Sequence, residues 1–182
     1  QISVTGLLGP PQIRRLSEEH ADDLEEDASD RVWSLLGQAV HTIIERASGQ
    51  ADTLAETTVF TTYDDYLIKG TVDNVTISQA ELCDFKITNV RKVKGGKLPL
   101  EWVQQTNIYR WMLHREYGLV INAIAVIAIF RDWTKHEAKR SEDYPQAPSV
   151  RYEIPLWSEE ETEDYVRERL RVASVQRRPP PR

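Results

Sequence analysis

Two strings of β-branched and aromatic residues, 66–76 and 81–87, separated only by Ile77-Ser78-Gln79-Ala80, constrain this chain more than any other feature. So short a spacer between strands of that composition predicts an antiparallel hairpin. A turn centred on the spacer sets Thr76 against Glu81 and Asp73 directly against Asp84. Residues facing each other across neighbouring strands have Cβ atoms about 5 Å apart, a distance at which two bare carboxylates repel. The pattern therefore asks for positive charge between them.

A Mg²⁺ ion answers that demand, because it takes oxygen ligands at about 2.1 Å, usually one or two carboxylates with waters and phosphate oxygens. The two-residue period of a strand puts Lys86 on the face of Asp84, opposite Thr71, and turns Cys83, Phe85 and Ile87 to the other side. An ammonium there can orient or help deprotonate water and offset charge that builds on a phosphate. The alternative is a wet sheet face on which Asp73 and Asp84 are ordinary polar residues and Lys86 is their salt-bridge partner. Neither Asp84 nor Lys86 is expected to be a core residue.

Two helical segments flank the hairpin. Residues 31–47 carry an apolar stripe of Val32, Leu35, Leu36, Val40, Ile43 and Ile44 at helical spacing. Gly37 and His41 stack on one face of that helix with Glu45 one turn beyond. Glycine inside a helix costs up to about 1 kcal/mol against alanine, which points to a close approach of backbone or ligand at Gly37. His41 is a candidate metal ligand or phosphate contact, or else a helix-flank histidine bonded to a neighbour. Residues 100–117 form the second helix, where Trp102, Gln105, Tyr109 and Met112 recur at steps of three and four. Gln105 and Tyr109 either reach the reacting centre or sit at the core edge with a wet hydroxyl.

Taken in order, Gly37-x-x-x-His41, Gly70-x-x-Asp73, Asp84-x-Lys86 and Gln105-x-x-x-Tyr109 resemble the motifs of the PD-(D/E)XK nucleases, in particular the RecB-type and phage-exonuclease branch, over about residues 30–133. The resemblance implies a restriction-endonuclease-like α/β core, a central mixed sheet flanked by helices. It implies a deoxyribonuclease, an exonuclease in most of that branch, dependent on one or two Mg²⁺ or Mn²⁺ ions. By it, Asp73, Asp84, the Phe85 carbonyl and His41 are metal ligands, Lys86 is the catalytic lysine, and Gln105 and Tyr109 support it. Glu56, on a strand near 55–62, either assists the metal or is an exposed strand glutamate. DNA-end processing in replication, recombination or defence, a helicase or recombination partner, a homo-oligomer, and the cytoplasm of a prokaryotic or phage-infected cell are further implications. The alternatives are a non-catalytic nucleic-acid-binding module on the same fold, or a nuclease for RNA or branched DNA.

The chain departs from that pattern at two points. Val72 stands where the proline would be, and Cys83 is the single cysteine, so the iron–sulfur cluster of many RecB-type relatives cannot be built. No Gly-rich nucleotide-binding loop is present.

A chain of 182 residues with 29% charged and 40% hydrophobic residues is ordinary for one globular domain, expected over 1–175. The longest apolar run, 119–130, is too short to span a bilayer and reads as a buried central strand, and no secretory signal is visible. A net charge of −6 opposes binding of nucleic acid by the whole surface. The acid is, however, concentrated in 18–30 and 159–164, while Arg91, Lys92, Lys94 and Lys97 surround a Gly-Gly directly after the hairpin. That loop is a candidate clamp for a phosphate backbone, or a solvated loop. Prolines at 10 and 11 predict a helix start, 151–156 an edge strand, and Ser158 with Glu161 a capping box opening a helix over 159–173. The basic, proline-rich 176–182 is expected to be disordered.

Overall fold

The computed structural model describes residues 1–20, 28–47 and 52–175, leaving aside certain side chains, among them those of His41, Ile44 and Glu45. Six strands form one mixed sheet: β1 (Ile2–Ser3), β2 (Thr53–Tyr63), β3 (Tyr66–Thr76), β4 (Glu81–Thr88), β5 (Ala123–Phe130) and β6 (Ser149–Glu153). Among the described residues six α-helices accompany it: α1 (Val4–Leu8), α2 (Pro11–Glu19), α3 (Ala28–Ala47), α4 (Leu100–Tyr117), α5 (Lys135–Arg140) and α6 (Glu159–Val175). The expected mixed α/β fold, a central sheet flanked by helices, is therefore present. The expected tail 176–182 lies outside the described residues.

Strand β3 organises the sheet. Along one edge it pairs with β2 from Thr53↔Thr76 to Tyr63↔Tyr66. The other edge is shared: β1 runs parallel to Ile68 and Lys69, while β4 pairs antiparallel through Asn74↔Cys83, Val75↔Leu82 and Thr76↔Glu81. The hairpin thus has the register anticipated from its spacer. It departs from expectation at the next step, because the ladder stops before Asp73 and Asp84. From there β4 leaves β3 and follows β5, with which it pairs from Glu81↔Ala123 to Thr88↔Phe130. Among the described residues no strand pairs with β3 between Lys69 and Asn74 on this edge, which opens a notch at Gly70–Asp73.

Helix α4 buries Trp102, Val103, Ile108, Met112 and Leu113 in the core, and Gly118 ends it in the left-handed region (φ 65°). Its polar side chains are tied down too. Buried Asn107 donates to the carbonyls of Val103 (2.8 Å) and Pro155 (3.0 Å) and accepts from Trp157 N (2.9 Å). Helix α6 is opened by the anticipated box: Glu161 N donates to Ser158 Oγ (3.0 Å) and Ser158 N to Glu161 Oε2 (2.6 Å). It packs on α4 and α1, and Arg169 donates to the carbonyls of Leu7 (2.7 Å) and Leu8 (3.0 Å).

Helix α3 touches β2, β3 and β4 but does not bury the stripe read from its sequence: Val32, Leu35, Leu36 and Ile43 are all exposed. The apolar run also begins its strand late. Leu119–Asn122 form the connection after the Gly118 cap, and Asn122 N donates to Ala80 O (2.7 Å). No helix among the described residues is long and apolar enough to cross a membrane.

Candidate active site

The notch is where the candidate residues meet. A Cβ on Gly70 would lie 2.7 Å from Tyr109 Cε1 and 3.1 Å from Val4 Cγ2, so only a bare strand backbone lets α4 and α1 come this close. Tyr109, seated there, is buried, and its hydroxyl accepts a hydrogen bond from Gln105 Nε2 (2.8 Å). Burial pushes the phenol well above its ordinary range, and the charges of Asp84, Asp73 and Glu56 push it the same way. It is therefore a neutral hydroxyl at any physiological pH, surrounded by acid.

Asp73 and Asp84 are 9% and 1% exposed, so the wet sheet face is excluded and Asp84 belongs to the interior, contrary to expectation. Where the strands part, Asp73 Oδ2 accepts a hydrogen bond from Phe85 N (2.8 Å) in place of a ladder bond. Lys86, on the same side of β4 as Asp84, holds its Nζ 2.7 Å from Asp84 Oδ2. Positive charge thus sits beside Asp84. Taking a carboxylate out of water is costly unless a cation and hydrogen-bond donors accompany it.

Burial along β3 alternates through Ile68, Gly70 and Val72 and then slips one residue, to Asp73 and Val75. The slip turns Asp73 inward. Opposite it in the β2–β3 register stands Glu56, between the pairs Ala55↔Asn74 and Thr57↔Val72, with a left-handed backbone (φ 45°) that few residues other than glycine adopt. Glu56 is half-buried, not the exposed strand residue considered from sequence, and no sequence signal marks its backbone.

Two buried carboxylates are the donor type that a hard divalent cation takes. Among the described residues no three His, Cys, Asp or Glu side chains converge at metal-binding distance, so Glu56 does not complete a triad with Asp73 and Asp84. His41 lies on α3, but its side chain is outside the description. Among the described residues nothing would lie within 4 Å of a Cβ on Gly37, so none of them makes the close approach its helix position suggested. Cys83, on the other side of β4, is buried, and burial pushes its thiol up to about 12, which makes it an inert packing residue.

A cleft of about 400 Å³ opens beside Lys86, lined also by Thr88, Lys92, Trp102 and Gln105. Of the anticipated basic loop, Lys92 lines this cleft and pairs with Glu101, and Arg91 lines a neighbouring one. Lys94 and Lys97 are exposed and line neither.

Neither a protein-family model nor a curated protein matches the chain. Among solved structures it is similar to the crystal structure of SSO0001, with a TM-score of 0.65 at 20% identity over 98% of this chain and 77% of that one. A candidate exonuclease from Eubacterium rectale aligns with a TM-score of 0.46 at 11% identity over 91% of this chain and 63% of that one. The first likeness is one of fold, and the second is too slight to argue from.

Proposed function

We propose that the protein is a metal-dependent deoxyribonuclease of the PD-(D/E)XK type, hydrolysing phosphodiester bonds at DNA ends. The observation that carries this reading is the buried acid pair at the parting of β3 and β4, with the Lys86 ammonium 2.7 Å from Asp84 and a basic cleft beside it. A purely structural salt bridge has no use for a second buried carboxylate beside it, and charged groups gathered next to a cleft are where catalysis concentrates.

In this reading Asp73, Asp84, the Phe85 carbonyl and His41 hold one or two Mg²⁺ or Mn²⁺ ions. Such an ion supplies Lewis acidity toward a phosphoryl group and acidifies water. Lys86, paired with Asp84, orients the attacking water and offsets charge on the phosphate as it develops. Tyr109, fixed by Gln105 and by the bare backbone of Gly70, supports the lysine's surroundings with a neutral hydroxyl. Phe85 N, bonded to Asp73, keeps that carboxylate turned inward. The remaining parts of the proposal are work on DNA ends in replication, recombination or defence, in the cytoplasm of a prokaryotic or phage-infected cell. A helicase or recombination protein as partner, and a homo-oligomer, belong to it as well.

The test is digestion of linear and circular DNA with Mg²⁺, Mn²⁺ or EDTA. Cleavage is expected with either metal and not with EDTA, and both Asp84→Ala and Lys86→Ala are expected to lower it by at least 100-fold, the scale of losing one electrostatic group in a reacting centre. DNA binding that survives EDTA with no cleavage under any divalent ion would replace the reading with a binding module. Cleavage confined to RNA or to branched DNA would change the substrate and leave the chemistry.

A further inference from the structure

The cleft beside Lys86 does not end there. A second one, of about 480 Å³, shares Ile87, Thr88 and Lys92 with it and continues past Asn89 and Arg91 to Arg131. Thr88 lies four residues beyond Asp84 on β4, about 13 Å at strand rise. Along that path the cations are Lys86, Lys92, Arg91 and Arg131, and Glu101, paired with Lys92, is the only carboxylate among the described lining residues. At the far end Arg131 donates through Nε to Asn89 Oδ1 and lies over the Trp33 ring, 4.2 Å from its centroid. Trp33 keeps 46% of its surface exposed. A chain of net charge −6 has thus gathered arginine, lysine and an open indole along one groove leading from its acid pair.

We propose that this groove carries a single strand of nucleic acid away from the acid pair, with Arg91 and Arg131 on its phosphates and Trp33 stacking on one of its bases. The proposal rests on the nuclease reading and adds to it the path and the strandedness of the substrate. Cationic grooves with aromatic platforms are how proteins hold single strands without reading sequence. Each cleft has the volume of a small-molecule site, enough for a nucleotide or two. The guanidinium already on one side of Trp33 fixes the ring, so a base adds to a preformed stack.

Fluorescence anisotropy with a short oligothymidylate, in EDTA, tests the proposal without any need for cleavage. An abasic oligomer of the same length serves as the second probe. Trp33→Ala is expected to weaken oligothymidylate binding about 5- to 150-fold, the range for one base–aromatic stack, and to leave the abasic oligomer unaffected. Trp33→Phe, which keeps a ring, is expected to retain most of the affinity. Arg91→Ala and Arg131→Ala are expected to weaken both probes, each lowering the slope of log K against log salt by about 0.7, while the distant Arg171→Ala changes neither. Equal loss on both probes in Trp33→Ala would assign the tryptophan to packing and overturn the stacking. Unchanged salt slopes in the arginine variants, or tighter binding of duplex than of single strand, would overturn the path. A protein that binds as described but never cuts would overturn the nuclease reading alone.

Discussion

Helices α4 and α3 look alike in sequence, each with apolar residues at helical spacing beside the same hairpin, yet they are used in opposite ways. α4 is buried along most of its length, and even its amide side chains are anchored: Asn107 to the segment after β6, and Gln105 to Tyr109. α3 lies on β2, β3 and β4 with Val32, Trp33, Leu35, Leu36 and Ile43 exposed. α4 is part of the core, whereas α3 rests on the strands that carry the acid pair. A reacting centre needs fixed groups and also a way in, and this division supplies both.

Substitutions on the two helices should separate accordingly. Trp102→Ala is expected to cost about 3–5 kcal/mol of unfolding free energy, the usual range for emptying a buried aromatic site. Leu35→Ala should stay within about 0.5 kcal/mol, as exposed positions do. Chemical denaturation measures both, and a Leu35 cost approaching that of Trp102 would break the comparison.

Next in size comes Gly70→Ala, which forces a methyl against the Tyr109 ring. A cost of about 1–3 kcal/mol is expected from overpacking, with cleavage lowered as Tyr109 and Gln105 shift. Glu56 sharpens the boundary further. Glu56→Val should cost about 1–2 kcal/mol, because a β-branched residue resists the left-handed backbone, whereas Glu56→Gly should keep the fold. Cleavage by the glycine variant then reports whether the carboxylate matters apart from the backbone. At neutral pH the last effect, at Cys83, is silent. Its thiol is held protonated in the fold, so stability is fully present below the ordinary thiol value of 9.0 and declines as pH rises toward about 12. Alkylation by iodoacetamide at neutral pH should correspondingly be slow in the native protein and fast in denaturant.

What was legible in the sequence was local. The bounds of α4, the hairpin register and the capping box at Ser158 follow from periodicity, a spacer and a three-residue offset, and all three are present. The pairing of Asp84 with Lys86 followed from the strand period in the same way. What was not legible depends on partners distant in the chain. The ladder ends before Asp73 because β4 is drawn to β5, some forty residues later, and β1 fills the edge it leaves. The stripe on α3 announced a buried face, but tertiary contacts decide whether such a face is covered. Trp33 and Arg131 meet across nearly a hundred positions, and no motif connects them.

The left-handed turn of the backbone at Glu56 has one more effect. β2 is an outer strand, eleven residues long, bonded to β3 on one side and carrying an exposed Phe60. A flat, regular strand of that length would be a template for another chain to add to, the first step of edge-to-edge aggregation. A left-handed residue near its start interrupts the regular stretch available for such docking, so Glu56, which stands opposite Asp73, also breaks up the edge at which a second sheet would dock.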